Sequence, residues 1–248
     1  MNETLARHHC VGPMGSNFWR IEVPPEIAPA LAEKNDWNRM GRRVMIDAAK
    51  GIISWMSPSS AHATFADAAD ETVKATARHL GVQVKAMRDT RWKRPQDPEN
   101  TGLEADASFY VGPNADRWYA ERLRGGTAAT EAFEAATPPD LVVEVEVTRF
   151  DDDKPARYEA LGVREMWRVA SRDAGNQVKV DILDMRAQGG PRQAAESTAL
   201  PGLKAALLPE AFELAVSGRF DKLEVRLATA LAPAPAPRRD TNDSPSPF

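Results

Sequence analysis

Residues 138–154, PPDLVVEVEVTRFDDDK, constrain the fold more than any other stretch, because two glutamates interrupt a run of valines. Side chains alternate between the two faces of a β-strand. One face would be wholly apolar: Leu141, Val143, Val145 and Val147. The other would carry Val142, Glu144, Glu146 and Thr148. The pattern predicts a strand over residues 140–148 with a core side and an acidic side.

A second stretch, residues 104–112 (EADASFYVG), has the same two-sided pattern, with Glu104 and Asp106 on its polar face. If the two strands are neighbours, Asp106 and Glu144 converge. Crowded carboxylates on a half-buried sheet repel each other and are costly to desolvate, and a divalent cation such as Mg²⁺ removes that cost. Lys154, a short distance along the chain, would add the positive charge that phosphodiester hydrolysis uses. The pattern alone leaves a second interpretation open, in which the acids form a solvated face.

The rest of the chain predicts one α/β domain over residues 41–231. A hairpin is expected in residues 42–57, and a helix from Ser59 or Ser60 to Gly81 with a regular apolar stripe. Further strands are expected near residues 83–88, 165–170 and 177–185, and further helices near residues 155–162, 208–218 and 219–232. Residues 113–137 allow no firm assignment, although TAATEAFEAAT could form one or two helical turns. Residues 1–40 predict an irregular extension, and residues 232–248, rich in proline and serine, a disordered tail.

Composition limits the partners and the compartment. The net charge of −4 over 248 residues gives no global basic field of the kind that a dedicated DNA-binding module carries, although a local basic rim remains compatible with it. The single cysteine, Cys10, cannot form an internal disulfide. The sequence shows neither a signal-peptide pattern nor an apolar run long enough for a membrane span. We expect a cytoplasmic protein.

Four blocks, in order, resemble the Uma-type family of restriction endonucleases, which belongs to the PD-(D/E)XK nuclease superfamily. They are ISWMSPSSAHATF, GLEADASFYVG, PPDLVVEVEVTRFDDDKPARYEALGVREMWRV and ESTALPGL, and the resemblance spans roughly residues 44–215. It implies a restriction endonuclease-like α/β fold, with a central mixed β-sheet flanked by helices. It also implies Mg²⁺-dependent (or Mn²⁺-dependent) hydrolysis of DNA.

The resemblance assigns roles to four residues. Asp106 matches the first metal-binding acid of the superfamily and Glu144 the second, with the backbone carbonyl of Val145 completing the metal shell. The superfamily's lysine position, two residues after the second acid, holds Glu146 instead. Lys154 falls where Uma-type sequences carry a lysine ahead of a Y…LGV helix, so the resemblance gives it the displaced lysine role, just outside the helix.

Four further residues are candidates for accessory roles at the site. His62 lies on the inward stripe of the first helix, where it could steady the core or serve the site. Glu71, on the same helix, could add an acid, although its neighbours indicate a solvent-facing side. Asp140 opens its strand and could cap that edge or support the metal ligands. Glu146 shares the acidic face and could bind metal or pair with a basic residue.

Basic residues near the acids are candidates for DNA contacts. The densest run, RDTRWKRP at residues 88–95, contains Arg91, Lys93 and Arg94 around a tryptophan. Arg149 and Arg157 flank the predicted site. A homodimer is expected by analogy, because duplex cleavage takes two active sites.

Two alternatives to a DNA endonuclease remain. A catalytically degenerate protein could keep the fold and act as a partner-binding or regulatory module, which Glu146 in the lysine position and the acidic composition favour. An enzyme acting on another phosphoester, such as RNA or a nucleotide, would use the same metal site.

Overall fold

The computed structural model describes residues 7–11, 17–24, 26–27, 43–47, 51–57, 60–88, 90–92, 103–146, 154–171 and 178–232. Its strands are β1 (Arg7–Val11), β2 (Asn17–Glu22), β3 (Arg43–Asp47), β4 (Ile52–Ser57), β5 (Val84–Ala86), β6 (Arg91–Trp92), β7 (Leu103–Glu104), β8 (Ala107–Val111), β9 (Leu141–Glu146), β10 (Glu165–Ser171), β11 (Val178–Asp184) and β12 (Arg192–Ala194). Its α-helices are α1 (Ser60–Leu80), α2 (Pro113–Ala136), α3 (Lys154–Leu161), α4 (Leu208–Val216) and α5 (Phe220–Leu231).

A six-stranded mixed sheet forms the centre of the fold, in the order β12-β11-β10-β9-β8-β5. The pair β9–β10 is parallel, and the other neighbours are antiparallel. Strand β9 therefore lies inside the sheet, between β8 and β10. The valine-rich sequence suits this position, because interior strands covered on both faces are apolar along most of their length. All of β9 is buried up to Val145, and Glu146 is partly buried.

Two apolar layers cover the two faces of this sheet. On one face, Phe65 and Val73 of α1 and Phe212 of α4 belong to the same buried cluster as Val143 and Val145. On the other face, a second cluster holds apolar residues of α2 and α3 together with Val142, Met166 and others. Helix α5 adds leucines to the first layer. The prediction of an α/β fold with a central mixed sheet flanked by helices is confirmed.

A separate four-stranded antiparallel sheet forms from the N-terminal part of the chain, in the order β1-β2-β4-β3. The predicted hairpin of residues 42–57 is confirmed as β3 and β4. The expectation of an irregular chain in residues 1–40 is wrong for β1 and β2, which pair with each other and, through β2, with β4. The scattered prolines and tryptophans of this region obscure the strand-like alternation of apolar and polar residues in β1 and β2. The predicted tail lies outside the described residues, apart from Ala232.

The long unassigned segment proves to be helical. Helix α2 occupies almost all of residues 113–137, with a break at Gly126, whose φ of 65° and ψ of −144° are not helical. The two halves fold back on each other, since Trp118 Nε1 donates to Glu134 at 2.7 Å and the Arg117 guanidinium lies over the ring of Phe133. The weak amphipathic pattern of each half explains why the sequence did not show the pair.

Candidate active site

The register of β8 and β9 determines where the two predicted acids lie. In this antiparallel pair Ala107 faces Val143, and Asp106 and Glu144 are the next residues beyond that pair, at the same end of the sheet. The sequence predicted one strand over residues 104–112, but the structure bends the chain at Asp106, between β7 and β8. Because of the bend, the side-chain carboxylate of Asp106, and not a backbone carbonyl, accepts the hydrogen bond from the Val145 N–H at 2.5 Å.

Groups from two elements contact the carboxylate of Asp106. Its Oδ2 accepts the Val145 N–H, and His62 Nε2 lies 3.1 Å from the same oxygen. His62 is the third residue of α1 and is 1% exposed, and Asp106 is 7% exposed. The predicted position of His62 on the inward stripe thus brings it into direct contact with the first acid. An aspartate bound by a backbone N–H and beside an imidazole has a fixed orientation.

Glu144 is held by two side chains of helix α3. Lys154 Nζ lies 2.5 Å from Oε2, and the hydroxyl of Tyr158 donates to Oε1. Glu144 is 1% exposed, and the Lys154 side chain is 22% exposed. A buried carboxylate is costly unless it is paired and hydrogen-bonded, and both conditions are met here. Lys154 was expected just outside the helix, whereas the structure makes it the first residue of α3, ahead of Pro155.

The donor set suits a hard divalent cation. Asp106 and Glu144 offer carboxylate oxygens at one end of adjacent strands, and an ionised carboxylate has about four acceptor positions, more than the contacts described above use. Mg²⁺ is commonly bound by one or two carboxylates, with waters and substrate oxygens completing the shell. Within the described part of the chain, no group of three or more histidine, cysteine, aspartate or glutamate side chains is arranged to hold a metal. The fit of these residues to a divalent cation therefore rests on the two carboxylates of Asp106 and Glu144.

Asp140 lies at the other end of β9 from the candidate site. It lies four positions before Glu144, or about 13 Å along a strand. Its carboxylate accepts the Val111 N–H at 2.9 Å and an N–H of the Asn114 side chain at 3.0 Å, so it ties β9 to the start of α2. Burial raises the pKa of Asp140, and these hydrogen bonds oppose the shift.

The remaining acidic candidates differ in position. Glu71 lies nine residues after His62 on α1, which is about 13.5 Å along the axis and half a turn around it, so the structure does not bring it to Asp106. It is partly exposed. Glu146 ends β9 two residues after Glu144, on the same face of the strand, and is partly buried.

The structure describes two of the five candidate DNA-contact residues, Arg91 and Arg157. Arg91 lies in β6, where its backbone pairs with Glu104 in β7, two residues before Asp106. The short hairpin that carries it therefore leads directly into the candidate site. Arg157 is on α3 and partly buried. Lys93, Arg94 and Arg149 lie outside the described residues.

Two features of this region were missed at the sequence level. Tyr158 has no role in the sequence-based prediction, because the predicted helix left Lys154 outside it. With Lys154 as the first residue of α3, the two side chains are four residues apart on one helix face. Glu165 is fully buried and collects five donors: Trp167 Nε1, Ser197 Oγ, the backbone and hydroxyl of Thr198, and the Ala199 N–H. No sequence signal links residues 165 and 197–199.

The six-stranded mixed sheet flanked by helices is a restriction endonuclease-like α/β fold, and two acids and a lysine lie close to one strand end. A scan of family models matches residues 31–217 to the Uma2 family, whose description is "Putative restriction endonuclease". The match covers most of the chain, so the chain belongs to this family, and its expected class is a nuclease with DNA as substrate. No curated protein matches the sequence. Among the described residues, no helix is both long and apolar enough to cross a membrane.

Proposed function

We propose that the protein is a Mg²⁺-dependent or Mn²⁺-dependent endonuclease that hydrolyses phosphodiester bonds in DNA, with Asp106, Glu144 and Lys154 as its catalytic set. One observation carries the proposal. Two buried acids lie at the same end of the sheet, Asp106 just before β8 and Glu144 in the adjacent β9, and Lys154 contacts Glu144. The lysine expected two residues after Glu144 is replaced by Glu146, and Lys154 supplies an ammonium at the site from helix α3 instead.

The residues divide the work as follows. Asp106 and Glu144 bind the cation, which when present would polarise the scissile phosphate and lower the pKa of the attacking water. The N–H and C=O of one residue in a strand point towards the same neighbour. Because the Val145 N–H bonds to Asp106, the Val145 carbonyl is directed towards the same strand and is the third oxygen donor.

The ammonium of Lys154 is placed to orient the attacking water or to stabilise charge that develops on the phosphate. Before a cation binds, its contact with Glu144 holds it beside the proposed cation-binding group. His62 holds the orientation of Asp106 through Oδ2. DNA backbone contacts are proposed for Arg91, Lys93, Arg94, Arg149 and Arg157.

The same site supports a second candidate, a protein that keeps the fold without turnover. The observation in its favour is Glu146, a carboxylate in the position where the superfamily has its lysine, on the same strand face as Glu144. Additional negative charge there would disfavour the approach of a phosphate. This candidate predicts that the carboxylates bind metal without DNA cleavage, or bind none.

Cleavage of supercoiled plasmid and of single-stranded DNA, with Mg²⁺ and with Mn²⁺, tests the proposal. Asp106→Asn and Glu144→Gln keep the shape of each side chain and should abolish nicking. Glu159→Gln, which changes an exposed glutamate on α3, is the matched control and should cleave as the wild type does. No cleavage by the wild type on a substrate panel that includes RNA would favour the second candidate. Cleavage that survives both acid substitutions would refute the assignment of the site.

We also propose a homodimer, since cutting both strands of a duplex takes two active sites. Light scattering coupled to size exclusion measures the mass directly. A mass of one chain at micromolar concentration, with and without DNA, would contradict this part of the proposal.

A further inference from the structure

We propose that Tyr158 is a positioning residue that fixes the Glu144 carboxylate for cation binding. The inference rests on the proposed function. Its hydroxyl donates to Glu144 Oε1, while Lys154 contacts Oε2, so the two oxygens are held by different side chains. Neither the tyrosine nor the glutamate is exposed to solvent beyond 1%.

Helix geometry makes Lys154 and Tyr158 act on the same group. Residues four apart on a helix lie one above the other on the same face. The last torsion of a glutamate is broad, so a single donor leaves the plane of the carboxylate free to turn. Two donors on opposite oxygens define that plane, and the carboxylate still has acceptor positions left for a cation.

The two donors differ in charge, which separates their roles. The ammonium of Lys154 carries a positive charge and would be repelled by a divalent cation at the same carboxylate. The phenol is neutral and can keep its hydrogen bond when a cation binds. Tyr158 is therefore the donor that maintains the orientation of Glu144 throughout the reaction.

The packing around Tyr158 supports this role. Its ring belongs to the buried cluster that also contains Leu161, Val163 and Met166, between α3 and the sheet. A tyrosine ring has only two side-chain torsions, and both are restricted by close packing on every side. Packing of the ring in the core therefore fixes the position of the hydroxyl, and with it the hydrogen bond to Glu144.

The test compares Mg²⁺ affinity in two variants that each lose one buried hydroxyl. Tyr158→Phe removes the donor to Glu144. Tyr110→Phe is the matched control, because Tyr110 is equally buried and its hydroxyl donates to the Thr137 carbonyl at 2.7 Å, away from the site. Loss of a partner that orients a metal ligand typically weakens metal binding about 10-fold or more. Calorimetric titration should show this loss for Tyr158→Phe and an unchanged dissociation constant for Tyr110→Phe.

Each outcome has a distinct meaning. Equal Mg²⁺ affinity in wild type and Tyr158→Phe would overturn the inference while leaving the proposed function intact. A wild type that binds no Mg²⁺ would overturn the proposed function, and the inference with it. A similar affinity loss in both variants would show a general effect of core damage and also overturn the inference. If Tyr158→Phe does not fold, Tyr158→Met keeps apolar bulk without the hydroxyl and is titrated in its place.

Discussion

Glu165 offers the sharpest test of how the fold is held together. Its carboxylate is fully buried in β10 and accepts hydrogen bonds from Trp167 Nε1 at 2.7 Å, Ser197 Oγ at 2.6 Å, and the Thr198 N–H, Thr198 hydroxyl and Ala199 N–H at 2.5, 2.9 and 3.1 Å. All five partners can donate, and an ionised carboxylate is an acceptor only, so each of the five contacts joins a donor to an acceptor. The contacts join β10 to the segment after β12.

The substitution Glu165→Gln replaces one acceptor oxygen by an NH₂ group. At Oε2 the new donor would face two backbone N–H groups that cannot rotate, so the amide nitrogen should take the Oε1 position. There the Ser197 hydroxyl can turn to accept, but the Trp167 N–H loses its acceptor. A buried donor left unsatisfied costs about 1–3 kcal/mol, and the remaining bonds lose their charge-assisted strength. The expected loss in free energy of unfolding is about 3 kcal/mol.

Urea unfolding followed by tryptophan fluorescence measures this loss, with the exposed Glu131→Gln as the matched control. The control should change stability by less than about 0.5 kcal/mol. In a thermal scan, a loss of about 3 kcal/mol lowers the midpoint of a domain of this size by about 6–12 °C. A change below about 0.5 kcal/mol for Glu165→Gln would refute the reasoning that this carboxylate is a structural centre.

Three further changes have defined outcomes. Lys154→Met should lower the free energy of unfolding by about 3 kcal/mol in urea titration, because it leaves the buried Glu144 carboxylate without the ammonium that pairs with it. The same substitution should abolish nicking. Unchanged stability would contradict the buried ion pair. Gly126→Ala should lower the free energy of unfolding by about 1–3 kcal/mol in the same assay, because a φ of 65° with a ψ of −144° suits glycine alone. No atom lies within 4 Å of the added methyl group, so the loss would come from backbone strain and not from a steric clash. Burial raises the pKa of Glu224, but the hydrogen bond and charge of Arg78 and then of His79 outweigh it and hold this pKa below its ordinary value. Its stabilisation is therefore present above about pH 4.5 and is lost as the pH falls through the lowered pKa. Glu224→Gln should lower the free energy of unfolding by less than about 1 kcal/mol at pH 7, and this loss should shrink as the pH is lowered below about 4.5; a loss that does not shrink on acidification would contradict this.

The sequence predicted the central sheet because its strongest signals are local. The valine alternation of β9 and the apolar stripe of α1 follow directly from side-chain geometry, and both elements are present. The position of Asp106 and Glu144 at one sheet end also follows from alternation, once the two strands are neighbours. That neighbour relation came from the resemblance to a family, since pairing depends on contacts distant in sequence.

Non-local contacts account for what the sequence did not predict. The bend at Asp106 is stabilised by the Val145 N–H, 39 residues away, and four of the five donors to Glu165 lie more than 30 residues further along. The two halves of α2 depend on the non-helical conformation of Gly126, which the pattern of polar and apolar residues does not predict. Tyr158 was missed because Lys154 was predicted outside the helix, and the face that the two residues share exists only because α3 begins at Lys154.

Metal binding by Asp106 and Glu144 is the central claim, and calorimetric titration of Mg²⁺ and Mn²⁺ into the wild type, Asp106→Ala and Glu144→Ala tests it most directly. Circular dichroism of each variant checks that it remains folded. The account predicts that the wild type binds one or two cations and that each substitution abolishes binding, with plasmid nicking lost in parallel. Binding that is unchanged in both folded variants, or absent from the wild type, would contradict it: the acids would then be part of the fold alone.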